Sequence, residues 1–268
     1  MKKFSAGKLI LPIYTAAALL ILLIPIGYTF VFSFNDYYKT NIGWQGFTLK
    51  NWANVCNAQG LCEAFGNSLI IGVTSTVVAT VLGTALAIGL VRYKFRARGF
   101  VSLLIFLPMA TPEVVLAAGL AAQFFDVGVA KGMFTVILAH ILFCLSFVVV
   151  TVKARVAGLD PALEEAGRDL YGSPAQVFWR VTFPLLLPGI MAAALLSFAL
   201  SFDDFIITYF NSGSMQTFPT FIYIAASRGV PAEANVIAST VFTLAIVIVV
   251  VSQLVSAAKA RRLSRAPR

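Results

Sequence analysis

DPALEEAGRDLYGSPAQVFWRVTFPLLLP, residues 160–188, is the long polar insertion between two strongly apolar runs, and the fold turns on its reading. Asp160 is a candidate N-cap, with Pro161 at the first helical position, where a missing N–H is tolerated. Glu164 and Glu165 lie near the positive end of that helix. Tyr171 and Gly172 are expected to end it, because Gly tolerates the left-handed C-cap conformation. Ser173 with Gln176 reads as a capping box, again with Pro at the first position, Pro174. A second short helix is expected to run to about Phe183, where Pro184 and Pro188 break it. The product is a helix, a sharp turn and a helix, presented outside a membrane. The small residues Ala166 and Gly167 let the first helix approach another protein's groove closely.

The membrane follows from composition. Apolar residues make up 59% of the chain and charged residues 12%, against about 25% charged in a soluble domain. One polytopic all-α domain over 1–268, with its core at 66–256, is expected. The net charge of +9 comes from Lys and Arg clustered between the apolar runs, with no basic patch interleaved with aromatics. Membrane topology therefore explains it better than a nucleic-acid partner.

Six spans are expected, at about 9–32, 67–91, 101–125, 134–153, 186–210 and 234–256, each near the roughly 20 residues that cross a bilayer. The first apolar run is too long, and lacks the small-residue cleavage site, to be a signal peptide. Between the first two spans lies a polar segment with Tyr37, Tyr38, Trp44 and Trp52, which suits a membrane interface or a short helix. Ala79, Gly83 and Ala87 recur at four-residue spacing in the second span, letting helices pack closely in lipid. Pro108 and Pro112 interrupt the third, which frees backbone groups and marks a helix lining a cavity.

With the N-terminus inside, sixteen Lys and Arg fall on the inner side: Lys2, Lys3, Lys8; Arg92, Lys94, Arg96, Arg98; Lys153, Arg155, Arg168, Arg180; and Lys259, Arg261, Arg262, Arg265, Arg268. Only Lys39, Lys50, Lys131 and Arg228 fall outside. The asymmetry places both termini and the loop 154–185 in the cytosol. Cys56 and Cys62 share the first outer loop, where they form either a disulfide or two unpaired thiols. Glu113 lies mid-span beside Pro112, and Asp203 and Asp204 lie in the outer part of the fifth span. Ionised groups at that depth face a cavity or a partner. Converging acids would attract a cation; pairing with basic groups of another subunit, or capping broken helices, is the alternative. His140 and Cys144 share a helix face and read as packing, since two soft ligands do not make a zinc site.

Glu165-Ala166-Gly167, then Gly172, then Val181-Thr182-Phe183-Pro184 resembles the "EAA" loop of the permease subunits of bacterial ABC importers. Gly167 stands where that family has Ala, Phe183 where Leu is usual, and the loop Gly comes one place late, behind Tyr171. The resemblance implies a type I importer permease fold with a coupling-helix hairpin between the fourth and fifth spans. Glu164, Glu165, Ala166, Gly167, Arg168, Asp169 and Gly172 would then dock on an ATPase subunit. Further stretches resemble the C-type permease subunits of spermidine/putrescine importers over nearly the whole chain: Gly43-Trp44-Gln45-Gly46-Phe47, Tyr93-Lys94-Phe95-Arg96, Leu200-Ser201-Phe202-Asp203-Asp204 and Gly229-Val230-Pro231-Ala232-Glu233. That resemblance implies a heterodimer with a B-type permease, two ATPase copies that bind ATP and Mg, and an extracytoplasmic polyamine-binding protein. It also places Glu113, Asp203 and Asp204 in the substrate path. Permeases for thiamine, iron or other cations share part of the pattern.

No G-x-x-x-x-G-K-[ST] phosphate loop is present, so ATP hydrolysis would belong to a partner. A serine hydrolase built on His140 lacks a G-x-S-x-G elbow. An ion-coupled carrier acting alone would show paired broken helices, whereas only the third span reads as broken.

Overall fold

The computed structural model describes residues 7–37 and 41–265. Lys2, Lys3, Tyr38, Lys39 and Arg268 lie outside those residues, as do the side chains of Lys8, Lys259, Arg261, Arg262 and Arg265. The chain forms two compact units, Met1–Cys62 with Ile222–Arg268, and Glu63–Phe221. Among the described residues the membrane-crossing candidates are five helices: Leu11–Phe32, Leu61–Arg92, Met133–Ala157, Pro174–Phe202 and Ala232–Leu254. A sixth is the pair Arg98–Ala110 and Glu113–Asp126 taken together, which bends by 108°.

In the first unit, α1 (Gly7–Phe32) packs along α12 (Ala232–Arg265). The segment between them in sequence is built around buried asparagines rather than being a plain polar loop. Asn35 donates to the Asn41 side chain at 2.7 Å and to the Gly43 carbonyl at 2.9 Å, and accepts from the Gln45 N–H. Asn51, on the short α2 (Lys50–Ala53), donates to the Ser33 and Asn35 carbonyls. Phe34 stacks between Phe47 and Trp52. Cys56 and Cys62 form a disulfide. Tyr37 donates to Glu233 at 2.9 Å. Burial, and then that bond, push the Tyr37 phenol up to about 12, so it stays a donor throughout the neutral range.

The second unit is organised on α3 (Leu61–Arg92), α6 (Met133–Ala157) and α9 (Phe183–Phe202). Lipid offers no hydrophobic driving force between helices, so close packing must hold them. Ala79 and Ala87 are fully buried against Cys144, Val148 and Val152 of α6, and Leu186, Ile190 and Ala193 of α9 complete the cluster. A Cβ on Gly83 would sit 2.6 Å from Val148 Cγ1, so a bare backbone is needed there.

The third span breaks at Thr111–Pro112, between α4 (Arg98–Ala110) and α5 (Glu113–Asp126). Pro108 stays inside α4. The expected fifth span, 186–210, differs more. A single helical rod runs from Pro174 to Phe202, and the chain then breaks at residues 203–205 before α10 (Ile206–Asn211). The expected break at Pro184 and Pro188 does not occur. Pro184 falls in the first turn of α9, where a missing N–H is tolerated, directly after a wider π turn, Phe178–Thr182. The following loop carries a further helix, α11 (Phe218–Ala226).

The polar insertion forms α7 (Ala162–Asp169) and α8 (Pro174–Val177). Asp160 Oδ1 accepts from the Ala162 N–H at 3.0 Å. Ser173 and Gln176 exchange both capping bonds. The C-terminus of α7 corrects the sequence reading. Tyr171, not Gly172, takes the left-handed conformation, at φ 60°. Gly172 is needed for space instead: a Cβ there would lie 2.6 Å from the Gly167 carbonyl oxygen and 3.1 Å from Val177 Cγ2. Gly172→Ala should therefore destabilise the hairpin by about 1–3 kcal/mol through overpacking. Tyr171→Gly should relieve about 1–2 kcal/mol of left-handed strain. Proteolysis within residues 160–182 of the purified protein reads both, and a Gly172→Ala hairpin as resistant as the parent would refute the steric account.

Candidate functional site

The acids predicted from the sequence meet at the two breaks. Glu113 is the first residue of α5, and Asp203 and Asp204 occupy the break after α9. Glu113, Asp203 and Asp204 lie close enough to feel one another's charge. Carboxyl groups gathered in this way attract a cation. Their exposures differ. Asp204 is 6% exposed, whereas Glu113 and Asp203 are exposed at the protein surface.

Asp204 is occupied by structure. Its Oδ1 accepts from the Ile207 N–H at 3.3 Å, and its Oδ2 accepts from the Thr208 N–H at 2.8 Å and the Thr208 hydroxyl at 2.9 Å. His140 Nε2 stands 3.1 Å from the same oxygen. His140 is thus no mere packing residue. Buried at 1% exposure, it also pairs through Nδ1 with Ser201 Oγ at 2.7 Å and through Nε2 with Thr208 Oγ1 at 3.0 Å. Its partners lie 61 and 68 residues away, beyond local reading. The available signal was the presence of an ionisable side chain inside an apolar span. Cys144, one turn on, is buried with its thiol on the Ser197 carbonyl.

Glu113 and Asp203 are therefore the exposed carboxyls of the group, with the buried Asp204 behind them. Such an arrangement can attract a cation by electrostatics. The break after Phe202 also means that two spans are broken, not one. Paired breaks alone thus cannot separate this protein from a carrier acting without partners.

The hairpin residues stand apart from the acids. Glu165, Ala166, Arg168 and Asp169 are exposed along α7, and Gly167 packs over Val177 of α8. Glu164 turns back to the spans, and Gly172 sits beneath the Gly167 carbonyl. Leu170 and Tyr171 at the tip are 82% and 98% exposed, leaving an apolar end on a polar hairpin.

The family of binding-protein-dependent transport system inner membrane components matches residues 79–266. The chain is 37% identical over 256 residues to the spermidine/putrescine transport system permease protein PotC of Escherichia coli K12, covering 95% of this chain and 97% of that protein. It is 31% identical over 238 residues to the putrescine transport system permease protein PotI of the same strain, covering 82% and 84%. Among solved structures, a bacterial ABC transporter that imports alginate matches with a TM-score of 0.64 over 96% of this chain and 99% of that one, at 17% identity. The inward-facing MetNI methionine ABC transporter matches with a TM-score of 0.53 over 77% and 95%, at 19% identity. The structural matches establish the fold, and the sequence matches establish the lineage: the chain belongs to the binding-protein-dependent transport system inner membrane components, as a multi-pass permease subunit of an ABC importer.

Proposed function

We propose that this permease carries polyamines of the spermidine and putrescine type, and that Glu113 and Asp203, supported by Asp204, form its share of the path. The observation that carries this reading is the convergence of these three acids at two helix breaks in a chain 37% identical to PotC. A polyamine presents ammonium groups along a flexible chain. An exposed carboxyl at each break offers two anionic contacts, strengthened where water is scarce. The chain contributes no catalysis. A B-type permease would complete the path, two ATPase copies would hold ATP and Mg, and an external binding protein would deliver the solute.

The orientation follows the charge asymmetry, with both termini and the hairpin in the cytosol. The disulfide supports it. Cys62 lies in the first turn and Arg92 at the end of α3, a continuous helix of 32 residues. That is about 48 Å, more than a bilayer core. A disulfide persists on the oxidising side, so the Arg92 end, to which the hairpin is bonded, faces the cytosol. There the exposed Leu170 and Tyr171 tip would enter the ATPase cleft.

Uptake of labelled spermidine and putrescine, by cells with and without this chain, is the direct test. Asp203→Asn and Glu113→Gln should each weaken apparent affinity about tenfold, or ~1.4 kcal/mol, with the complex still assembled. Full uptake in both variants would refute the acidic path, and polyamine uptake unchanged on deletion would refute the substrate. His140→Leu should act differently. It removes one of the four partners of a buried carboxylate and lowers stability by about 1–3 kcal/mol, read as a fall in the thermal midpoint of the purified complex, whereas Asp203→Asn should leave that midpoint in place.

A further inference from the structure

We infer that Glu164 is the positioning residue that binds the hairpin helix to two membrane spans at once, so that α7, the end of α3 and the head of α9 move as one body. This rests on the reading above that α7 docks on the ATPase. One carboxylate oxygen makes the connection. Glu164 Oε1 accepts from Arg92 Nη2 at 2.7 Å and from Thr182 Oγ1 at 3.0 Å. Arg92 is the last residue of α3, and Thr182 is the last residue of the π turn that leads into α9. The three groups lie 72 and 18 residues apart in sequence and converge on a single atom.

The setting favours a mechanical role. The Arg92 and Glu164 side chains are 22% and 19% exposed, so the pair is less screened than a surface ion pair. A cavity of about 530 Å³ flanks it, lined by Tyr93, Glu165, Arg168 and Phe178, so packing alone does not fill the space between α7 and the spans. An open flank beside a polar tie means that the bond, not a dry core, fixes the position of α7's first turn. The attachment to α9 enters through a π turn, an irregularity that often sits at functional positions. Arg155 of α6 makes a parallel tie, donating from Nε and Nη2 to the Leu185 carbonyl, with its stem laid against Gly189. The end of each of these spans is thus joined to the head of α9.

The test uses the assembled importer, with both permeases, the ATPase and the binding protein, in nanodiscs. Spin labels on Tyr93→Cys and Leu163→Cys, both at exposed positions, report the distance between the α3 end and α7. In the otherwise unaltered chain that distance should be narrow and the same in the nucleotide-free and the Mg-ADP-vanadate-trapped states. In Glu164→Gln and Arg92→Gln it should broaden and shift by several ångströms between the states, while the ATPase still copurifies. The exchanged pair Arg92→Glu with Glu164→Arg should restore the narrow distance, because Thr182 can accept as well as donate. Uptake of spermidine per ATP hydrolysed should fall several-fold in the single variants and recover in the exchanged pair. A distance that changes between the states in the unaltered chain, or that stays narrow and fixed in Glu164→Gln, would overturn the inference. Loss of ATPase copurification on Leu170→Asp would support the docking reading independently, and absence of spermidine uptake by the unaltered importer would refute the substrate while the distances still decide this point.

Discussion

The helical chain breaks at Thr111–Pro112 and again at residues 203–205, just past the end of the Pro174–Phe202 rod, and the backbone groups released at these breaks need partners within the protein. The second unit is arranged to supply those partners. Asp204 accepts the first N–H groups of α10. Asn211, at the other end of α10, donates to the Ala117 carbonyl of α5 and the Ile207 carbonyl of its own helix. Thr135, at the start of α6, donates its hydroxyl to the Asn211 carbonyl at 2.8 Å and accepts from the Gly132 N–H. His140 then ties Asp204 and Thr208 to α6. The short α10 therefore holds its place because its ends and its cap are stitched to α5 and α6.

This stitching explains why three acids can converge without tearing the fold apart. Burying an anion is costly unless it is hydrogen-bonded, and Asp204 has four donors or near-donors around it. Once Asp204 is committed, the exposed Glu113 and Asp203 are left without comparable cages. One buried and satisfied carboxylate thus fixes the geometry, and two exposed ones stand beside it.

Much of the architecture was legible in the sequence because its causes are local. Apolar length located the spans, the capping box at Ser173 and Gln176 located the second arm of the hairpin, and the small residues Ala79, Gly83 and Ala87 located the contact of α3 with α6. The misreadings share one cause, a dependence on structure further along the chain. Gly172 read as a left-handed cap because Gly usually fills that role, yet Tyr171 adopts φ 60° and Gly172 is kept small by the Gly167 carbonyl packed over it. Pro184 and Pro188 read as breakers, but a π turn upstream accommodates the rod. The break after Phe202 carries no Gly or Pro at all. It is specified by Asp204 capping α10 and by His140 reaching across from α6, a pairing invisible without the fold.

Two of the basic residues counted in the charge asymmetry also make specific contacts. Arg92 and Arg155, in the last turns of α3 and α6, each reach sideways to the hairpin or to the head of α9. Thr182 stands at that head and Asp203 just beyond the tail, separated by the 20 residues of α9. A rigid helix of that length is about 30 Å, so a tilt of about 10° at the head displaces the tail by about 5 Å. That displacement exceeds the reach of any carboxylate–ammonium contact, which is lost beyond about 4 Å. A modest rotation at the hairpin end would therefore move the Asp203 end by more than the reach of one ionic contact, because a single helix, α9, connects the two.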